Sequence, residues 1–315
     1  MDATAVPTGR SSATLCDVFD ADRLLRAIPW SLRVTWIALL VSGGRAVDAA
    51  LADADPTHAD AVRWILLAGW IIGVAAMAVP AVVTLTATRV VVPLSLPVAI
   101  GCWVAGAGPV DGAVFTGTAV LSTVVAGTAA FGRRFVQASA YGDEDRHLLR
   151  PPLPYLVVAV LAWTAWAAAL TVAVIATARG AVVLALITGA IGVAGGALGF
   201  PRWHRLSRRW LVLVPAGLVV HDHVVLAETL MIRRQELARL GLAPAGTDAA
   251  DFTGPAPGHA VEIRTTESIT ALAAMVPGVP AGGALHLTGL LVAPTRPGQA
   301  LSAAAARRFP VGPIG

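Results

Sequence analysis

Lysine and asparagine are absent from this chain of 315 residues, and all 23 basic residues are arginine. Both missing residues are encoded by A-rich codons, while alanine, glycine, valine and proline abound, the usage expected of a GC-rich bacterial genome. Cysteine is nearly absent. Cys16 lies in a polar N-terminal stretch and Cys102 in an apolar run, which excludes a disulfide framework and a paired-cysteine zinc site. Charge is scarce: 13% of residues are charged against about a quarter in soluble domains. With 56% hydrophobic residues and a mean hydropathy of +0.72, the composition is that of an integral membrane protein. The formal charge of +4 does not imply nucleic-acid binding, because the arginines cluster at the edges of apolar runs, where membrane orientation accounts for them. No phosphate-binding glycine loop, GxSxG elbow, HExxH or CxxC motif occurs, which removes the usual nucleotide-driven and hydrolytic signatures.

Two long apolar runs, Leu153–Thr177 and Ala181–Phe200, dominate what is there, separated only by Ala178, Arg179 and Gly180. Each approaches the roughly 20 apolar residues needed to cross a bilayer as a helix. Earlier runs at 64–86, 90–107 and 113–131 predict three more crossings, with a kink at Pro80 and a turn at Arg89. The stretch 27–47 is weaker. Arg33 and Arg45 are separated by about 18 Å of helix, short of the roughly 30 Å hydrocarbon core, so it either crosses with both arginines snorkelling or lies along the interface. Residues 1–26 carry Asp17, Asp20, Asp22, Arg23 and Arg26 without an apolar core; they read as a partly disordered tail, not a cleavable signal.

Arginine placement orients the spans. The stretches 132–152 and 202–209 are strongly basic, whereas the turns near 108–112 and 178–180 carry only Arg179. Positive residues mark the cytoplasmic side, so parity gives six crossings with both termini cytoplasmic, in a bacterial inner membrane. The expected organisation is a tail at 1–26, a helical membrane domain at 27–200, a basic-aromatic collar at 201–210 and a cytoplasmic β-rich domain at 211–315.

Beyond Trp210 the apolar pattern shortens to strand length. Trp210–Val214, Leu218–His221, Val224–Leu226, Thr229–Arg233, Val261–Thr265 and Ala284–Val292 are strand candidates, punctuated by Pro215-Ala216-Gly217 and by Gly282-Gly283. Gly298–Arg308 reads as a closing helix. The segment WLVLVPAGLVVHDHVVLAETLMIRRQELAR, Trp210–Arg239, resembles the opening meander of bacterial pleckstrin-homology-like domains attached to membrane helices, and the closing helix sits where that family places its cap. The chain as a whole resembles multi-pass membrane proteins of high-GC, actinobacterial-type bacteria. The resemblance covers about a third of the chain as domain type and implies a helical polytopic membrane protein followed by a small α+β binding module, with no catalytic residue.

Several residue groups could carry function. The collar of Arg202, Trp203, Arg205, Arg208, Arg209 and Trp210 serves positive-inside anchoring and is a candidate surface for anionic lipid headgroups. Gly189, Gly192, Gly195, Gly196 and Gly199 give the small-xxx-small spacing of close helix packing, within one chain or in a homo-oligomer. His221 and His223 fall on one face of an extended strand and could begin a metal site, although no third ligand is near in sequence. Asp53, Asp55, His58 and Asp60 form an acidic group suited to a hard cation but lack a complete loop motif. Asp143, Glu144, Asp145 and His147 could do acid-base work only in a shielded pocket; a solvated loop is the simpler reading. The five stronger spans contain no ionisable residue in their expected interiors, which weighs against proton-coupled transport. The reading is a non-catalytic membrane anchor or scaffold without cofactor. It would present its domain to a protein partner or an anionic lipid surface, in envelope organisation or regulation. The alternative is a transport component or channel subunit using helices broken at Pro80, Pro93 and Pro97.

Overall fold

The computed structural model describes residues 15–274 and 283–313, with side chains from Ala27 onward except Pro29. Residues 1–14 of the expected tail and Gly282 lie outside that set. The chain is helical from α1 (Leu15–Ala50) through α2 (Pro56–Ala78), α3 (Val82–Val91), a 3-10 turn at Val92–Leu94, α4 (Ser95–Val104), α5 (Pro109–Gly127) and α6 (Ala129–Gln137). Strand β1 (Asp145–Leu148) precedes α7 (Leu153–Ala178) and α8 (Val182–Ser207). Strands β2 (Arg209–Val214), β3 (Gly217–Asp222), β4 (Leu230–Arg233), β5 (Leu237–Leu242), β6 (Ala250–Asp251), β7 (Val261–Leu272) and β8 (Ala284–Val292) follow, and α9 (Pro297–Ala306) closes the chain.

Among the described residues, five helical stretches are long and apolar enough to cross a membrane: Pro56–Ala78, Val82–Val104, Pro109–Gly127, Leu153–Ala178 and Val182–Ser207. Helix α1 lies outside that set. The protein is therefore a membrane protein by its helices, with a β-sheet region after them.

Two expected boundaries are corrected. Pro80 does not kink one long span; it separates two, because the chain is non-helical from Val79 to Ala81 and restarts where Thr84 Oγ1 accepts from the Ala81 amide at 2.9 Å. The expected turn at Arg89 is helical and falls inside the Val82–Val104 stretch. The sequence rule that an arginine marks an edge fails here because Arg89 finds carbonyls instead of water. Its Nε donates to Ala126 O at 3.2 Å and its Nη2 to Thr128 O at 3.4 Å, at the C-terminal end of α5, where the helix dipole favours a cation. The expectation of spans free of ionisable residues falls with it. Asp55 starts α2 in the ordinary way, accepting from the Thr57 and His58 amides with Pro56 in the first turn.

The β region also begins earlier than 211. Strand β1, from the connection between α6 and α7, pairs antiparallel with β2, giving a four-stranded sheet in the order β1-β2-β3-β4; a second sheet runs β5-β7-β8-β6. Of the candidate strand Val224–Leu226, Val224 and Val225 lie in a turn and Leu226 forms a single antiparallel bridge to Ala273, whereas Val261–Thr265 extends to Leu272 across a register shift between Arg264 and Ile269. The first sheet has two buried faces. Leu211, Leu213, Leu218, Val220 and Ile232 pack with Leu240, Ile263, Leu290 and Phe309 of the second layer. On the opposite face Leu148, Trp210 and Val212 join the core formed by α1, α4, α5 and α6, beside Phe115, Phe131, Phe135 and Val136. The sheet is thus seated on the helices, with α6 as its bed.

Candidate functional site

The collar is not a separate segment. Helix α8 runs through Pro201 to Ser207, and β2 begins at Arg209. Its six side chains divide by where helical and strand periodicity point them. Trp203 is buried against α7, its Nε1 donating to Ala159 O at 3.2 Å and its ring 5.4 Å from Trp166. Arg209 is 1% exposed and its Nε and Nη2 donate to the two oxygens of Asp222, itself fully buried, at 2.7 and 2.6 Å; Nη1 reaches Arg150 O at 2.5 Å. Asp222 also accepts from the Val224 amide at 3.1 Å, so the pair ties β2, β3 and the following turn together. Trp210 turns to the helix side, with the Arg146 guanidinium 5.4 Å from its ring. Arg202 donates to Leu198 O. That leaves Arg205 and Arg208 without a hydrogen bond or ion pair among the described residues.

Arg205 and Arg208 line a cleft of about 340 Å³ completed by His223, Leu226, Ala227 and Ala274. The cleft lies between the end of α8 and the turn after β3. His223 meets the His221 ring edge-on at 4.4 Å, and His221 stacks on Trp210 at 4.8 Å while its Nδ1 lies 3.0 Å from Thr229 Oγ1. Burial, then His223 and Arg208, push the His221 pKa down to about 4, despite the opposing pull of Asp222. The two imidazoles meet, but His223 lies in the turn after β3 and not on the strand, and among the described residues no group of three or more ligating side chains could hold a metal ion.

The other candidates are placed differently. Asp55 caps α2, Asp60 pairs with Arg63 at 2.8 Å, and an added Cβ at Gly180 would meet the His58 ring at 2.8 Å, so these side chains serve helix ends and a turn contact while Asp53 stands apart. His147 is buried on the sheet's inner side, 3.4 Å from Asp145. That imidazole, helped by Arg133 at 3.2 Å, holds the Asp145 pKa down at about 2 against the opposing effect of burial. Arg146 pairs with Glu144 at 2.8 Å and Arg307 with Asp143 at 2.6 Å. These groups staple β1 to its surroundings and do not line the cleft. Of the glycine stripe, Gly192, Gly195 and Gly196 face Leu170 and Trp166 of α7, and Gly199 lies under Trp203; Gly189 has no neighbour within 4 Å of an added Cβ. The close approach is made inside the chain, and Trp166 Nε1 donates to Gly192 O at 2.7 Å across it.

Sequence reasoning found the two arginines and the one histidine of the cleft but not their meeting, because α8 and the 223–227 turn are joined only by the fold. It also missed that Arg209 faces inward. The alternation of Arg209, Trp210 and Leu211 carried that signal, since adjacent strand residues must point to opposite faces.

Comparison with protein-family models, with curated proteins and with solved structures found no match to the chain. The class is accordingly set by the fold alone: a helical membrane protein followed by a β-sheet region.

Proposed function

We propose that the protein is a non-catalytic scaffold of a bacterial inner membrane whose cytoplasmic, pleckstrin-homology-like domain is held flat against the bilayer and engages its anionic surface. The observation that carries this reading is the shared core of Leu148, Trp210 and Val212 with Phe131, Phe135 and Val136. A domain fused to the helices through its sheet face presents its remaining surface at a fixed height above the membrane, which a tethered module does not.

Packing supports α1 as a sixth crossing. Along its length Arg33 donates to Met77 O, Trp36 and Trp70 exchange indole hydrogen bonds to each other's carbonyls at 3.1 and 2.8 Å, and Asp48 meets Arg63 at 2.9 Å. Helix α1 therefore runs antiparallel to α2 from one end of the bundle to the other. The charge distribution supports a cytoplasmic sheet end: at the end away from the sheets Arg45 pairs with Asp111 and Arg63 with Asp48 and Asp60, leaving little net positive charge, while Arg134, Arg202, Arg205 and Arg208 gather at the sheet end. Two sheets closed by α9 support the pleckstrin-homology-like reading, with β1 supplied from between two spans as a departure from it.

The transport alternative draws no support from Pro93 and Pro97. Val92, Ser95 and Ala99 around Pro93 and Pro97 are buried, and Ser95 Oγ donates to Val92 O at 2.7 Å, so a carbonyl at the break is satisfied inside the protein.

The test is thermal unfolding of the full protein in nanodiscs of phosphatidylcholine with and without phosphatidylglycerol. A midpoint raised by the anionic lipid supports the reading. An unchanged midpoint, together with a protein captured reproducibly by in-cell crosslinking from the second sheet, would replace it with a protein-binding scaffold.

A further inference from the structure

Most arginines at the sheet end of the molecule are already employed. Arg133 is held by Asp145, Arg146 by Glu144, Arg209 by Asp222, and Arg150 reaches the His259 carbonyl. Among the described residues Arg205 and Arg208, like Arg134, Arg296 and Arg308, have no side-chain hydrogen bond or ion pair, and of these five it is Arg205 and Arg208 that line the cleft. They stand three positions apart at the end of α8, Arg205 in its last turn and Arg208 as the residue that caps it, and both line the cleft together with His223. Among the described residues no carboxylate lines the cleft; Glu228, next in sequence to its wall, is exposed and outside the lining.

The remaining wall is fixed. The Leu226 amide donates to Asp222 O at 2.9 Å, Ala227 to Leu272 O at 2.8 Å and Ala274 to Val225 O at 2.9 Å, binding the 223–227 turn to the end of β7. Two unpaired guanidinium groups therefore face a rigid, partly apolar surface without a compensating anion from the chain. The height of the site is also fixed. The apolar run of α8 ends at Phe200, and Arg205 follows about 7 to 8 Å further along the helix axis, the level of bilayer phosphates when the run fills the hydrocarbon core.

Resting on the reading above, we infer that the cleft between the end of α8 and the 223–227 turn is a binding site for one phosphate-bearing anionic group, the headgroup of an anionic phospholipid, with Arg205 and Arg208 as its ligands and His223 closing it. Guanidinium groups suit a phosphate because their planar donors engage two oxygens at once. A zwitterionic headgroup gains less, because its ammonium finds no carboxylate in the lining.

The experiment uses the full protein in mixed phosphatidylcholine–phosphatidylglycerol nanodiscs, followed by mild detergent extraction and native mass spectrometry of retained lipid. Wild type is expected to keep phosphatidylglycerol selectively. The Arg205→Gln/Arg208→Gln variant is expected to lose that selectivity by about tenfold or more, and Arg239→Gln, whose side chain reaches Pro313 O outside the cleft, to keep it. Ala227→Trp fills the cleft from an exposed position without altering charge and is expected to reproduce the loss, which guards against a folding defect in the double variant. Selectivity retained by both the double and the filling variants overturns the cleft while the broader lipid reading stands. No selectivity in wild type overturns both. Displacement of the lipid by inorganic phosphate in excess would assign the cleft to a soluble phosphate compound and overturn its lipid form.

Discussion

Arg209 and Trp210 are neighbours in sequence yet work on opposite sides of the first sheet, since strand side chains alternate. Arg209 goes inward to a carboxylate that is otherwise hidden from water, and Trp210 goes to the helices. A buried pair of this kind is costly to break from one side, because the remaining charge is left unpaired. Arg209→Met should therefore destabilise the fold by about 3–5 kcal/mol, while Arg209→Met/Asp222→Leu should recover most of the loss. Chemical unfolding of the two variants measures the difference; equal destabilisation would mean that the pair is not the source. A second prediction at this scale concerns acid. His221 titrates near 4 in the folded chain and near 6.5 when unfolded, so between those values the unfolded state binds more protons and stability rises with pH. Stability should fall by about 1–2 kcal/mol as pH drops from 6.5 toward 4, discounted for the partial exposure of the ring. His221→Gln should flatten that part of the profile. Asp145 is shifted in the same direction by the opposite cause, stabilisation of its charged form: its stabilising contribution, present above pH 4, is lost as pH falls toward 2. Loss confined below pH 4 in wild type would remove His221 from the account.

Among the elements, the seam between α1 and α2 shows how a glycine acts by what faces it. An added Cβ at Gly73 would sit 2.4 Å from Trp36 Cζ2, a ring held by its indole bond to Trp70 O, whereas an added Cβ at Gly69 meets nothing within 4 Å. Gly73→Ala should cost about 1–3 kcal/mol by forcing the helices apart, while Gly69→Ala should be neutral or slightly stabilising through helix propensity. Parallel thermal unfolding in detergent tests the contrast, and equal effects would contradict the packing of α1 on α2. The existence of these helices was legible because runs of some 20 apolar residues have few other solutions. Their limits were not. Arg89 and Pro80 exchange the roles expected of them, since a charge inside a span can be satisfied by the carbonyls of a neighbouring helix, which no local pattern announces. Strand β1 was hidden for a related reason: Asp145-Arg146-His147-Leu148 is polar, and its strand conformation is set by pairing with β2 across two membrane helices.

The whole molecule is organised by that one short strand. A boundary at 211 suggests a bundle and a detachable domain, yet the chain writes the sheet's first edge before α7 and the rest after α8. The α7–α8 hairpin leaves and returns at neighbouring points because Leu149 donates to Arg209 O at 2.9 Å and Thr295 to Leu148 O at 2.8 Å. Cutting at residue 208 would therefore remove more than a linker. It would strip Leu148, His147 and Arg150 from the sheet and uncover the face of Trp210, Val212 and Val219 that rests on the helices. The expected outcome is that residues 209–315 expressed alone fail to form a cooperatively unfolding domain, and that the remaining helices become protease-sensitive at α6, whose buried Phe131, Phe135 and Val136 lose their cover. Circular dichroism melts of the isolated fragment and limited proteolysis of the helical part in detergent measure both halves. A fragment that is monomeric, melts cooperatively and resists proteolysis would show that β1 and the helix-side core are dispensable, and would remove the basis for the proposed placement of the cleft at the membrane surface. Failure of the fragment, with rescue when residues 142–152 are joined ahead of β2 by a flexible linker, would locate the requirement in the strand itself, since that peptide restores the β1–β2 ladder while leaving the helices absent.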